Sequence, residues 1–126
     1  SIGFAHFDDY HGAWFTIQDI RKELIFNGRQ DLLDQIEFVV IESNNGSRHA
    51  SDLRNFCAST LAKNKSLSYM IKPNEGTSSS RNEIFKQAKG DFVLVMDCHV
   101  LLCPVVDTIE KIFEFIETNP ETNDIF

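Results

Sequence analysis

Cysteine is scarce and unpaired in this chain. Cys57, Cys98 and Cys103 stand apart, with no C-x-x-C pair. The odd count argues against a disulfide framework, and the spacing against a structural zinc site. The thiols read as reduced, which points to a cytoplasmic protein. Three prolines and six glycines in 126 residues leave no room for a long breaker-rich linker, and no repeat or low-complexity segment occurs. No apolar run approaches the roughly 20 residues of a membrane span, and no charged-then-apolar leader opens the chain at Ser1. Basic residues are few and scattered: 12 Lys and Arg stand against 19 Asp and Glu, for a net charge of −7. A nucleic-acid binder usually carries a basic face, so this class is set aside.

What is present is an ordinary globular composition, 42% hydrophobic and 25% charged, long enough for one domain over residues 1–126. Three short apolar runs, Ile2 to Phe7, Glu37 to Ile41 and Asp91 to Met96, read as buried strands, and Ser66 to Ile71 as a more polar one. Between them lie segments with helical spacing. Ile17, Ile20 and Leu24 mark a helix over Ala13 to Asn27, stopped by Gly28. Ala50, Leu53, Cys57 and Leu61 mark a second. Ser80 and Glu83 have capping-box spacing for a third, which ends before Gly90. Val105, Ile109, Ile112, Phe113 and Ile116 mark a fourth over Val105 to Glu117. The alternation predicts a Rossmann-like βαβαβαβ(α) three-layer sandwich with a mostly parallel sheet. The loops Asp8–Gly12, Glu42–Ser47, Pro73–Ser80 and Asp97–His99 would then share the edge at the strands' carboxyl ends, where such sheets bind ligands.

Asp97 and His99 are the strongest chemical pair. Residues two apart at a strand exit share a face and can converge in the turn that follows. A carboxylate and a neutral imidazole suit Mn²⁺ or a similar ion, which can stabilise a diphosphate leaving group. The structural reading of the same residues is a turn-capping Asp and a surface His. The loop Gly76-Thr77-Ser78-Ser79-Ser80 lacks the glycines and lysine of a P-loop and reads as a helix start. His6, His11 and His49 show no ligand spacing, and Trp14 and Phe15 read as core or staple residues. Cys98 follows Asp97, whose negative charge disfavours a thiolate.

The ordered set Phe38-Val39-Val40-Ile41-Glu42, Asn45-Gly46-Ser47, Gly76 with Ser80-Arg81-Asn82, Ala88-Lys89-Gly90 and Phe92 to Asp97 resembles the nucleotide-sugar half of GT-A glycosyltransferases, family 2 in particular. His99 replaces the last Asp of the D-x-D motif, as in polypeptide N-acetylgalactosaminyltransferases. The resemblance implies transfer of a sugar from a nucleotide-diphosphate sugar, by default a UDP-sugar, to an acceptor hydroxyl, assisted by Mn²⁺ or Mg²⁺. It implies that Asp97 meets ribose and metal and His99 the metal. Glu42 or Asn44 would hydrogen-bond the nucleobase. Phe7 and the Asp8-Asp9 loop would flank that base, and Arg81 would face the nucleotide or phosphates. The family's acceptor half, with its catalytic base, is not found before Phe126. The chain therefore reads as a truncated domain or fragment, and the base and stereochemistry stay open. An exposed sheet edge would also allow an oligomer. Two other classes fit parts of the sequence. One is a receiver-like signalling domain phosphorylated on Asp97, with Asp8-Asp9 as its acidic pair. The other is a nucleotide-binding module without catalysis.

Overall fold

A computed structural model describes residues 1–44, 46, 48–61, 67–72, 76–102 and 107–122, with the side chains of residues 60 and 61 excepted. In chain order the elements are β1 (Ile2–His6), α1 (Tyr10–Phe26), α2 (Gln30–Leu33), β2 (Phe38–Glu42), α3 (Ala50–Leu61), β3 (Leu67–Ile71), α4 (Thr77–Gln87), β4 (Leu94–Met96) and α5 (Thr108–Thr118). The strands form one sheet in the order β3-β2-β1-β4, every pairing parallel. Ile2 lies beside Phe38 and Leu94, and His6 beside Glu42. This is a Rossmann-like α/β fold.

Strand alternation explains the layers. On one sheet face Phe4, Phe38 and Val40 meet Ile17, Ile20 and Leu24 of α1, Leu53 and Cys57 of α3, and Ile109 of α5. On the other, Val39 and Ile41 meet Ile84 of α4. Fully buried side chains of this size each contribute about 1.5–3 kcal/mol, so the first cluster, which is much the larger, dominates the core. Gly3 makes the α4 layer possible. A Cβ there would sit 2.0 Å from Ile84 Cγ2, so only glycine lets the helix approach β1 this closely.

Several boundaries differ from the sequence reading. The first helix starts at Tyr10, three residues before Ala13, because Asp9 caps it: its Oδ1 accepts the Gly12 N–H at 2.9 Å. A one-turn helix, α2, which the pattern did not predict, buries Leu32 and Leu33. Helix α4 begins at Thr77 with Gly76 as its cap. Ser80 therefore lies inside the helix, buried, and Glu83 pairs with Lys72, Lys86 and Gln87 instead of closing a capping box. Strand β2 runs one residue further, so Glu42 belongs to it and not to the loop. Strand β4 is three residues long and only half-buried, where Asp91 to Met96 was read as a fully buried strand. In α5 only Ile109 is fully buried. Trp14 and Phe15 are partly exposed, Trp14 leaning on Phe56 with ring centres 6.3 Å apart. Asn45, Ser47, Ser66, Pro73, Cys103 and Val105, named in the sequence reading, lie outside the described residues.

Candidate functional site

The strand order contains a reversal. From β1 the chain steps to β2 and β3 on one side, then returns to place β4 on the other. The carboxyl ends of β1 and β4 flank this reversal, the usual ligand position in such sheets. Phe7 to Asp9 leave β1 at this point, and Asp97 to His99 leave β4.

Two charge pairs bridge the elements around this reversal. Arg81 of α4 reaches Asp97, Nη2 to Oδ1 at 2.6 Å. His99 Nδ1 lies 3.0 Å from Asp9 Oδ2. Strand alternation accounts for the first pair: Val95 packs toward α4, and Asp97, two residues on, follows the same side. The second pair depends on the tether of residues 98–102 to α1. Thr16 Oγ1 donates to the carbonyls of Cys98 and Val100, and the Leu102 N–H donates to Asp19 Oδ2. The Asp9 carboxylate lies below its ordinary pKa. Burial pushes it up, but the Gly12 N–H and His99 together outweigh that push. Asp9 thus stays ionised while it caps α1 and holds the imidazole. Cys98, buried between the two site residues, has its thiol pushed up to about 12, first by burial and then by Asp9, Asp97 and Glu42. It is not a nucleophile at neutral pH.

On the far side of β1 the arrangement is tighter. Glu42 is 1% exposed, and its Oε1 accepts the backbone N–H of Asp8 at 3.2 Å and of Asn44 at 2.8 Å. His6 is also buried, with Nδ1 3.4 Å from Glu42 Oε2 and 3.4 Å from the Asp9 nitrogen. Burial holds His6 below its ordinary pKa against the pull of Glu42, Asp9 and Asp8, so its ring is neutral. The His6 carbonyl accepts both the N–H and the hydroxyl of Ser43. Asn44 Oδ1 takes the Gly46 N–H. Phe7 is 69% exposed at the rim. A shallow hollow of about 300 Å³ lies on the α4 side, lined by Arg81, Phe85, Val95 and Asp97.

The fold thus brings Phe7, Asp9, Glu42, Asn44, Arg81, Asp97 and His99 to one sheet edge. The sequence reading did not foresee three things. Asp97 and His99 take different partners, Glu42 is turned inward, and His6 and Ser43 belong to the group. The alternation of β1 could have flagged His6, a polar residue on the face that also carries Ile2 and Phe4. Among the described residues no three His, Cys, Asp or Glu side chains gather around one point. The donor set nevertheless suits a divalent ion shared with a diphosphate. Asp97 offers an exposed carboxylate. His99, with Nδ1 beside Asp9, would offer Nε2 to such an ion, an arrangement common among metal-bound histidines. Ions that serve phosphate chemistry commonly take one or two protein ligands and complete their shell with phosphate oxygens and water.

Residues 16–125 match the family model for glycosyl transferase family 2. No curated protein and no solved structure matches the chain. The matched segment runs from within α1 through α5 and includes Glu42, Asn44, Arg81, Asp97 and His99. The chain belongs to glycosyl transferase family 2.

Proposed function

We propose that residues 1–126 form one donor-binding domain, in which the carboxyl-end edge at β1 and β4 takes a nucleotide-diphosphate sugar, with UDP as the nucleotide. Its sugar passes to an acceptor hydroxyl. The observation that carries this reading is the placement of two ion pairs, Arg81 with Asp97 and His99 with Asp9, at the exits of β4 and β1 where the strand order reverses. Asp97 and His99 would hold a divalent ion, Mn²⁺ or Mg²⁺, and that ion supplies charge neutralisation to a departing diphosphate.

The chain's own groups would do the rest. Arg81 presents a fixed fork of donors suited to phosphate oxygens. In the free protein it shields Asp97. When a diphosphate arrives, the guanidinium can turn to it and free the carboxylate. Asp9, ionised, sets the His99 ring and keeps the proton on Nδ1, leaving Nε2 as the donor atom. Asn44 and the exposed ring of Phe7 flank the place of the nucleobase.

The test is thermal unfolding of the intact protein with UDP and Mn²⁺. Ligand at one hundred times its Kd adds about 2.7 kcal/mol of stability. We expect that gain in the wild type, its loss in Asp97→Ala, and its retention in a variant of the distant Lys111. A wild type that melts at one temperature with and without UDP and Mn²⁺ rejects the reading.

A further inference from the structure

The reading above leaves the buried pair Glu42 and His6 without a task. Both side chains are 1% exposed, yet neither faces the apolar core alone. They stand side by side in register at the carboxyl ends of β2 and β1. Four of the polar bonds around them cross between those strand ends or hold the turn beyond one of them. Glu42 Oε1 accepts the N–H of Asp8, in the loop after β1, and the N–H of Asn44, in the loop after β2. The His6 carbonyl accepts the Ser43 N–H at 2.9 Å and the Ser43 hydroxyl at 2.7 Å. One carboxylate oxygen thus serves as a common acceptor for two loops that have no strand ladder left to hold them.

The backbone gives this bond a purpose. Asp8 has φ of 52°, the left-handed region, which a non-glycine residue occupies at a cost. Such a conformation persists where its surroundings hold it. The Glu42 bond to the Asp8 N–H is one such hold. The turn it secures delivers Asp9 to its two duties, capping α1 and orienting His99. The same oxygen holds the Asn44 backbone, while the Asn44 side chain is set by the Gly46 N–H that bonds its Oδ1. With Oε1 taken by two backbone N–H groups, Oε2 against His6 and the side chain 1% exposed, the Glu42 carboxylate is closed off from a ligand.

We infer that Glu42, with His6 packed against it, is a positioning residue that clamps the β1 and β2 loops into the shape the nucleotide site needs, and that Asn44 rather than Glu42 faces the nucleobase. This rests on the donor-site reading and adds to it a division of labour within the second loop. It predicts that Glu42 affects how well any nucleotide binds, while Asn44 affects which nucleotide binds.

Two measurements on the intact protein test it. The first is amide hydrogen exchange at Asp8 and Asn44. Both amides should be protected in the wild type and in Glu42→Gln, whose amide oxygen can replace Oε1. Both should exchange at least tenfold faster in Glu42→Ala. The second is calorimetric titration with UDP and with CDP, each with Mn²⁺. Glu42→Ala should weaken both nucleotides by the same factor, about tenfold. Glu42→Gln should stay within about threefold of wild type, and Asn44→Ala should change the ratio of the two. Glu42→Gln is the deciding variant if Glu42→Ala does not fold. A tenfold change in the UDP-to-CDP ratio in Glu42→Gln would overturn the positioning role and make Glu42 the base reader. Unprotected Asp8 and Asn44 amides in the wild type would also overturn it. A wild type that binds neither nucleotide, with both amides protected, rejects the donor-site reading and with it the task assigned to the clamp.

Discussion

Gly3 shows how one missing methyl sets a layer. Ile84 of α4 rests where a Gly3 side chain would be, with Cγ2 2.0 Å from the ideal Cβ position. Gly3→Ala therefore forces α4 off the sheet or bends Ile84 out of its rotamer, at about 1–3 kcal/mol. A fall in the denaturant midpoint with unchanged slope would show this, and a midpoint equal to wild type would show that α4 yields freely. The sequence marked Gly3 only as a glycine in an apolar strand, because nothing local tells which helix will press on it. The same limit applied to Glu42. Its position after Ile41 made it read as a loop acid, and only the neighbouring strand end revealed that its carboxylate is enclosed. Asp97 and His99 stood out as candidates because they follow an apolar run. Their partners were not legible, since Asp9 lies 90 residues from His99.

At the scale of elements, the junction of α1 with α5 carries more negative charge than it needs. Glu23 of α1 is 9% exposed, and its Oε1 has no hydrogen-bond partner among the described residues. Burial pushes its pKa up. The Ile109 N–H pulls it down, while Asp19, Asp107 and Glu110 push it up again. For an acid whose folded pKa is raised, the contribution to stability is full below the ordinary value of 4.5 and is lost as pH rises. Glu23→Gln should thus raise stability at pH 7 by about 1 kcal/mol, with the gain fading toward pH 4. Melting curves of the two proteins at both pH values measure this, and an equal gain at both would point to packing rather than charge. Arg29 already offsets part of the acidity by bonding Glu110 and Asp31, and Asn27 bonds Asp107 and Glu110. Helix identity here was readable from periodicity. The start of α4 was not, because Ser80 and Glu83 mimic a capping box while Gly76 starts the helix.

For the molecule as a whole, pH stability below neutrality should depend on the buried end of β1. His6 has its pKa lowered by burial, against an ordinary value of 6.5. A base with a depressed folded pKa contributes stability above its unfolded value and loses it as pH falls through the folded one. The melting temperature should therefore decline once pH drops below about 6.5, before most carboxylates titrate. In His6→Gln the decline over that range should be shallower. An identical decline in both proteins would assign it elsewhere. No described helix is long and apolar enough to cross a membrane.

The sequence by itself determined the alternation of strands and helices, the apolar strand interiors and the gathering of polar loops at one sheet edge. These follow from local periodicity, which records how each residue is divided between core and water. The tertiary structure decided the strand order β3-β2-β1-β4, and through it the reversal beside β1. It also decided that Asp9 meets His99, that Arg81 meets Asp97, and that Glu42 closes over His6 instead of facing outward. Periodicity shows which face of an element is buried. Which element comes to cover that face depends on long-range packing, and in this chain the site is assembled by that packing.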